Sequence, residues 1–213
     1  MSPPAYATAA KQPRTRDATP VIGFAGDDEA LVAAVRRGQE PAIAAFYDRF
    51  GKHMLRVLGR ILGAHRDLAD AHHDAFVRAL ESIGELRDPG ALRSWMTSVA
   101  VFTARTHLQR QSRRWWLRFH SPDELPELSV VPADQEAREA LRSTYRLLDK
   151  LPTDERIAFT LRRIDDIDLP SAAAACRMSL ATFKRKLARA EKRFAALVAS
   201  EPNLRVWLEG GGS

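Results

Sequence analysis

The last long pattern of apolar and polar positions occupies residues 179–194, SLATFKRKLARAEKRF. Its apolar residues follow one another at steps of three and four, so they share one side of an α-helix; they are Leu180, Phe183, Leu187, Ala190 and Phe194. Between them stand one acid, Glu191, and six bases: Lys184, Arg185, Lys186, Arg189, Lys192 and Arg193. The pattern predicts a helix with one buried side and a cationic outer side.

The same helical spacing runs through the first half of the chain, where it predicts four further helices. The first is capped by Asp27 or Asp28 and ends at Gly38, the second has Pro41 near its start, the third covers about 66–83, and the fourth follows GELRDPG. The side chains predicted to face their core are Ile43, Phe46, Tyr47, Phe50, Met54, Leu55, Leu58, Leu62, Leu68, Ala75, Phe76, Ala79, Leu80, Ile83, Leu92, Trp95, Met96, Val99, Phe102 and Leu108. No segment alternates with period two over the length of a strand, so we predict an all-α fold built from helical bundles.

Residues 121–134 interrupt this pattern with prolines and acids and no basic residue: Pro122, Asp123, Glu124, Pro126, Glu127, Pro132 and Asp134. This composition indicates an acidic linker between two helical domains. After it we predict a helix over about 135–150, one with Thr153 as its N-cap, a short alanine-rich helix capped by Asp168, and a last helix capped by Ser179. The predicted organisation is a disordered tail (1–24), a first domain (25–118), the linker (119–134), a second domain (135–200) and a C-terminal tail (201–213).

Composition narrows the possible partners and compartments. Of the 213 residues 45% are hydrophobic and 28% are charged, which fits a soluble protein, and the net charge of +6 favours an anionic partner. Cys176 is the single cysteine, so an internal disulfide is impossible and we expect a small buried residue there. The N-terminal region has no apolar stretch of signal-peptide length, and the longest uncharged run, Ser94–Ala104, is too short to cross a bilayer. We therefore expect an intracellular protein without membrane insertion.

A short alanine-rich helix, a turn and a longer helix with a basic outer side form a helix-turn-helix arrangement. Its alanines allow the two helices to approach closely, while Leu180, Phe183 and Leu187 fix the longer helix to the core. Other residues of that helix face outward, where they can enter a major groove and neutralise phosphates: Ala181, Thr182, Arg185 and Arg189. The alternative is that the basic side is only solvated surface, but the caps and the domain-level pattern favour DNA binding.

The segment LPTDERIAFTLRRIDDIDLPSAAAACRMSLATFKRKLARAEKRF resembles the promoter-binding C-terminal domain of extracytoplasmic-function sigma factors. The matching positions are Leu151, Pro152, Leu161, Arg162, Ser179, Thr182, Phe183 and Lys184. In the first domain, DEALVAAVRRGQEPAIAAFYDRFGKHMLRVLGRIL resembles the opening helices of the family, LADAHHDAFVRALESI its polymerase clamp region, and ALRSWMTSVAVFTARTHLQRQSRR its minus-10 region. The resemblance covers residues 28–199.

The resemblance implies a protein that is not an enzyme and needs no cofactor or metal. Its partners would be core RNA polymerase and promoter DNA, with an anti-sigma factor left open, and its location would be the cytoplasm. It would read the minus-35 element as duplex through Arg177, Ser179, Ala181, Thr182, Lys184, Arg185 and Arg189. It would open the minus-10 element with the loop from Glu85 to Ala91 and with Arg87, Arg93, Trp95, Arg110, Arg113 and Arg114, holding a flipped base. It would bind polymerase through Asp70, His73, Asp74 and Arg78.

Several residues depart from the family's pattern. The run DAHHDAF stands where aspartate, leucine, valine, glutamine, glutamate, threonine and phenylalanine are usual, so His72 replaces a buried apolar residue and His73 a glutamine. Phe102 and Thr106 replace an asparagine and an aspartate, and Arg177 replaces the turn glycine, whose conformation other residues reach at a cost. These departures leave open an alternative, namely a sigma-derived helix-turn-helix regulator or adaptor that does not support initiation.

Two residue clusters have competing interpretations. His65, His72, His73 and Asp74 suggest a metal site, but adjacent histidines on a helix point about 100° apart, so we expect His72 to be partly buried with one hydrogen-bond partner. The second cluster is Trp115 and Trp116, next to Arg113 and Arg114. In the functional interpretation the tryptophans stack on unpaired bases or contact a polymerase groove; in the alternative they pack the end of the helix onto the bundle.

Overall fold

The computed structural model describes residues 24–63, 67–117 and 135–201, and these ranges contain helices and turns but no strand, which confirms the all-α prediction. The helices are α1 (Asp28–Arg36), α2 (Glu40–Leu62), α3 (Leu68–Ser82), α4 (Leu92–Leu117), α5 (Gln135–Asp149), α6 (Thr153–Phe159), α7 (Leu169–Ala175) and α8 (Leu180–Ala199). Short 3-10 turns at Ile83–Glu85 and Pro89–Ala91 connect α3 to α4, and a π turn at Thr160–Ile164 extends α6. The predicted N-terminal tail up to residue 23, residues 64–66 with His65 of the candidate metal cluster, residue 118, the predicted linker (119–134) and residues 202–213 lie outside the described ranges.

Three predicted N-caps are confirmed. The carboxylate of Asp27 accepts from the Ala30 N–H, that of Asp168 accepts from the Ser171 N–H, and the Ser179 hydroxyl accepts from the Thr182 N–H. Each bond satisfies one of the N–H groups that the first turn of a helix leaves unpaired.

The predicted cap at Thr153 is wrong, because α6 begins one residue earlier than expected. Pro152 occupies the N-cap position in extended backbone, and its carbonyl accepts from the N–H groups of Glu155 and Arg156. Thr153 is therefore the first helical residue, and no side chain caps this helix.

The first domain is a bundle of α2, α3 and α4, with α1 packed against α2. Phe46, Met54, Leu58 and Met96 are fully buried at its centre. His72 lies at the contact of α3 with α2, where its Nε2 is 3.0 Å from the Gly51 carbonyl oxygen. The expectation of a partly buried histidine with one partner is thus confirmed.

Three predicted core residues are exposed. Tyr47 is 51% exposed because it lies at the edge of the α2–α3 contact, where its ring packs on Phe76 at a centroid distance of 4.6 Å. Phe102 is on the outer side of α4, beneath the guanidinium of Arg78. Leu180 begins α8 and is 40% exposed, since the helix reaches the core only from Phe183 onward.

The second domain is built around the crossing of α7 and α8. Ala172, Ala173 and Ala175 are buried on α7, and Phe183 and Leu187 fill the space above them from α8. Cys176 is buried as expected, and burial raises the pKa of its thiol to about 11. Small side chains on one helix allow the large ring on the other to be enclosed completely.

The two domains are in direct contact, because α4 packs against α6 and α7 and the hydrophobic core continues across the boundary. The buried guanidinium of Arg156 donates from Nε to the Ile61 carbonyl of α2 at 2.7 Å and forms an ion pair with Asp149 of α5. A second ion pair joins Arg60 of α2 to Asp165, which follows the π turn. Phe24, the last residue of the predicted tail, also packs on the core.

We predict that Phe183→Ala lowers the free energy of unfolding by about 3–5 kcal/mol, because it removes a fully buried ring and leaves a cavity against the alanines of α7. Urea denaturation followed by circular dichroism measures the change. The matched control is Leu180→Ala on the same helix, which we expect to cost less than about 1 kcal/mol because that side chain is exposed. Equal losses for the two variants would contradict the described orientation of α8.

Candidate nucleic-acid interface

The outer side of α8 presents cations without neighbouring acids. Lys184, Arg185 and Arg189 are exposed, and the described residues supply no carboxylate to any of them. Arg185 donates to the Thr182 hydroxyl at 3.3 Å, which holds its side chain along the first turns of the helix. Ala181 and Thr182 lie beside these cations at the start of α8. This side of α8 therefore combines positive charge with small side chains that allow close approach to a partner.

Two bases of α8 serve a different purpose from the one the sequence pattern indicates. Lys186 is half-buried and forms an ion pair with Asp154 at 2.9 Å, and Arg193 forms one with the buried Glu155 at 2.9 Å. Although burial opposes ionisation of Asp154, Lys186 and Arg105 keep its pKa below the ordinary value. Part of the charge on α8 thus compensates acids of α6 rather than facing outward.

The turn before α8 has a backbone conformation that favours glycine. Arg177 has φ +54°, and its N–H and that of Met178 donate to the carbonyls of Ala174 and Ala173 at the end of α7. The expectation that Arg177 adopts the backbone conformation for which a glycine is usual is confirmed. Its side chain is exposed next to the N-terminus of α8.

The predicted minus-10 residues lie in more than one place. Arg87 in the α3–α4 connection and Arg93 in the first turn of α4 are exposed, while Trp95 is half-buried against the core. Arg110 lies about 25 Å further along α4, at 1.5 Å per residue, and lines a groove between α3 and α4. Arg113 and Arg114 belong to α4, but their side chains, like those of Trp115 and Trp116, lie outside the described residues.

The predicted polymerase-binding residues form one stripe on α3. Asp70 and His73 are exposed, Asp74 lies 3.0 Å from His107 of α4, and Arg78 covers the ring of Phe102 at 4.5 Å. The groove beside them, with a volume of about 270 Å³, is lined by Asp74, Val77, Arg78, Glu81, Thr103, Thr106, His107 and Arg110. The stripe and the groove together make a surface of mixed charge.

Two contacts that position these surfaces could not be identified from the sequence. Arg36 of α1 donates to the carbonyls of Ile83 and Leu86, and so fixes the start of the α3–α4 connection. His53 Nε2 lies 2.9 Å from Thr97 Oγ1 and links α2 to α4. Both contacts join residues more than 40 positions apart, so no local pattern signals them.

His53 is half-buried and lies near two arginines. Burial, followed by the charges of Arg93 and Arg56, lowers the pKa of His53 to about 4. The imidazole is therefore neutral at pH 7.

Within the described ranges, no group of three or more His, Cys, Asp or Glu side chains could share a metal ion. In the same ranges, no helix is both long and apolar enough to span a membrane.

Comparison of the sequence with known families gives two matches. Residues 46–114 match "Sigma-70 region 2", and residues 141–194 match "Sigma-70, region 4". The first segment contains α3 and most of α2 and α4, and the second contains the helix-turn-helix. Together they span more than half of the chain.

Individual proteins give consistent similarities. The chain is 27% identical over 174 residues to the ECF RNA polymerase sigma-E factor of Escherichia coli strain K12, which covers 78% of this chain and 91% of that protein. It is 25% identical over the same length to the RNA polymerase sigma-H factor of Pseudomonas aeruginosa, which covers 78% and 90%.

Two solved structures share the fold. CnrH in complex with the cytosolic domain of CnrY has a TM-score of 0.56 at 22% identity, covering 82% of this chain and 98% of that chain. The sigma factor RpoE of Bartonella quintana, in complex with the anti-sigma factor NepR, has a TM-score of 0.55 at 16% identity and covers 73% and 95%.

We predict that the protein loses stability as the pH falls from 6.5 to 4, because the unfolded chain protonates His53 in this window while the folded state keeps it neutral. After allowance for solvent screening, protonation of His53 accounts for a loss of about 1–2 kcal/mol in the free energy of unfolding over this pH range. Urea unfolding at pH 7.5 and 4.5 should show a smaller loss for His53→Gln than for the native chain. His73→Gln, at an exposed position of α3, is the control and should follow the native chain; parallel curves for all three proteins would contradict the prediction.

We predict that Arg177→Gly raises the free energy of unfolding by about 1 kcal/mol, because glycine adopts positive φ without a clash at Cβ. The same change should weaken binding to duplex DNA, since it removes a cation beside α8. Arg177→Lys keeps both the charge and the strain, so it should change neither quantity much. Denaturation and fluorescence anisotropy measure the two effects, and a gain in stability without loss of affinity would exclude a DNA contact by Arg177.

Proposed function

This chain belongs to the extracytoplasmic-function sigma factors, and from that premise we propose which of its surfaces carry out the steps of transcription initiation. It is a sigma factor that binds core RNA polymerase and directs promoter-specific initiation. The family acts without catalysing a reaction of its own. The observation that carries the assignment is the presence of both sigma regions in the order typical of the family. The second region ends in α8, which exposes basic side chains that have no acidic partner among the described residues.

The proposed minus-35 reader is the first half of α8 with the turn before it. Lys184, Arg185 and Arg189 neutralise phosphates, while Ala181 and Thr182 lie where a recognition helix contacts base edges. Ser179 positions the helix through its cap, and Arg177 adds a phosphate contact from the turn. This assignment is supported by the exposure of the cations and by the burial of Phe183 and Leu187 on the opposite side.

The proposed minus-10 reader is the α3–α4 connection with the start of α4. Arg87 and Arg93 hold the strand, and Trp95 forms part of the surface that receives an unpaired base. The contacts of Arg36 with this connection support the proposal, because a preorganised loop loses less entropy on binding. Arg110, which lines the groove between α3 and α4, is proposed as a separate contact further along the strand, and Arg113 and Arg114 stay predictions because their side chains lie outside the described residues.

The proposed polymerase contact is the stripe of Asp70, His73, Asp74 and Arg78 on α3. Its mixed charges suit a partner helix that carries both positive and negative side chains.

Two structural relatives were solved in complex with the cytosolic domain of CnrY and with the anti-sigma factor NepR, and by analogy we propose an anti-sigma factor as a further partner. Core polymerase and promoter DNA lie in the cytoplasm, so we propose that location for this chain.

Reconstitution with core RNA polymerase tests the assignment. The full chain is added to purified core enzyme and fragments of genomic DNA, and the transcripts are mapped. We expect transcripts with discrete start sites that depend on the chain. Duplex binding without such transcripts would instead support a sigma-derived regulator or adaptor that does not start transcription, an alternative that no contact in the described ranges favours.

We predict that Arg185→Ala weakens binding to duplex DNA across sequences and lowers the magnitude of the salt slope by about 0.9, the value for one phosphate contact. Fluorescence anisotropy between 50 and 300 mM NaCl measures the slope of log K against log salt. Arg37→Ala, an exposed arginine at the end of α1, is the control with the same change in charge. An unchanged slope for Arg185→Ala, or an equal decrease for Arg37→Ala, would count against a phosphate contact by Arg185.

A further inference from the structure

The C-terminal end of α3 has no cation of its own. Its last turn contains no basic residue, and the chain continues from it directly into the 3-10 turn Ile83–Glu85. The last carbonyls of a helix have no partner within that helix, and they carry the negative end of its dipole. A cation that donates to carbonyls at such an end stabilises it. In this chain the cation comes from a different helix, α1.

Arg36, in the last turn of α1, donates to two carbonyls of the α3–α4 connection. Its Nε and Nη2 each lie 3.2 Å from the Ile83 carbonyl oxygen, and Nη2 also donates to the Leu86 carbonyl. The Ile83 carbonyl accepts in addition from the Leu86 N–H at 3.3 Å. Because a guanidinium holds its donors at fixed angles, these bonds set the position of Leu86 relative to the end of α3.

Helix α1 is itself fixed on the bundle, so Arg36 projects from an anchored element. Leu31 and Val35 are buried, and α1 packs against α2 and against both 3-10 turns of the connection. At the start of α1, Arg49 of α2 forms an ion pair with Asp28 at 2.7 Å and donates to the Gly26 carbonyl at 3.0 Å. The helix is thus attached to α2 at its start and to the connection at its end.

The rest of the connection is held at its other end by Asp88. The Asp88 side chain accepts from the Gly90 N–H at 2.9 Å and so caps the second 3-10 turn. Between the two attachments Leu86 is buried, whereas Glu85 and Arg87 are exposed. The exposed side chains of the connection therefore start from a backbone that is fixed on both sides.

The last two arginines of this region differ in what their side chains do. Arg36 uses three of its five N–H donors on the carbonyls of the connection. Arg37, the next residue, is exposed, and within the described residues its side chain has no hydrogen-bond partner. The two residues carry the same charge at nearly the same place, so they form a matched pair in which only one holds the connection.

We propose that Arg36 is a positioning residue for the opening of the minus-10 element: from α1 it holds the α3–α4 connection in the conformation that receives the unpaired base, without touching DNA. The inference rests on the proposed function. It gives a role in that function to α1, which precedes the segment that matches Sigma-70 region 2. A connection that is already ordered loses less entropy when it binds, so more of its binding free energy offsets the cost of unpairing the base.

Transcription with core RNA polymerase on two versions of one promoter fragment tests the proposal. The fragment is one that the native chain transcribes; the first version is fully paired, and in the second, mismatches leave the minus-10 element unpaired. We expect Arg36→Lys to lower the initial rate about tenfold on the paired template and about twofold or less on the mismatched one, which needs no base capture to open. Lysine keeps the charge but not the fixed set of donors, so it separates positioning from a phosphate contact.

The matched control is Arg37→Lys, which should follow the native chain on both templates. Equal rates for Arg36→Lys and Arg37→Lys on the paired template would overturn the proposal. Equal losses for Arg36→Lys on the two templates would also overturn it, because they would indicate a general structural defect.

Hydrogen exchange of the full chain tests the same contact without polymerase. The backbone N–H groups of residues 84–86 should exchange about tenfold faster in Arg36→Lys than in the native chain and in Arg37→Lys. Unchanged exchange would overturn the inference, since Arg36 would then not hold the connection. A native chain that yields no transcripts from either template would instead overturn the proposed function, so the two failures give different results.

Discussion

The separation of α8 into a buried apolar side and an exposed cationic side is the constraint on which the rest of this structure depends. Cations close together on one helix repel one another, so the helix forms only because its other side gains enough from burial. Phe183 and Leu187 supply that burial against the alanines of α7, and Lys186 and Arg193 are compensated by Asp154 and Glu155. The remaining cations have no acidic partner in the described ranges, and under the proposed function DNA phosphates would pair with them.

The same distribution of charge recurs at the contact of α2 with α4. There the basic residues stand on α4, which has no acid, and on the part of α2 after Asp48, and carboxylates from other elements pair with Arg60 and Arg105. Asp154 forms ion pairs with Arg105 of the first domain and Lys186 of the second, so one carboxylate pairs with cations of both domains. Contact between the domains thus rests partly on ion pairs.

Local features of the fold could be predicted from the sequence, whereas long-range contacts could not. The caps at Asp27, Asp168 and Ser179 follow from one residue type before an apolar pattern. The positive φ at Arg177 follows from the resemblance, in which a glycine is usual at this turn. In contrast, the inward orientation of Lys186 depends on an acid more than thirty residues away. Helical periodicity also placed Tyr47, Phe102 and Leu180 in the core, because periodicity indicates a side of the helix but not where its neighbours end.

Two departures from the family's pattern have local compensation. His72, in a position that is usually apolar, is satisfied by the Gly51 carbonyl, and Phe102, in a position that is usually asparagine, is covered by Arg78. A single partly buried hydrogen bond and a single cation–π contact are enough to accommodate these residues. Such pairs cannot be found from one sequence, because each partner is unremarkable by itself. The functional surfaces were accordingly predicted as sets of residues, and their grouping came only with the structure.

The most direct test of the account is the salt dependence with which the full, unmodified chain binds a mixed-sequence duplex. If Lys184, Arg185 and Arg189 each release counterions from DNA, the plot of log K against log salt is linear with a slope of about −2.7 or steeper, at about 0.9 for each phosphate. A slope near zero between 50 and 300 mM salt would mean that the cationic side of α8 does not contact phosphates. The proposed minus-35 reader would then be wrong.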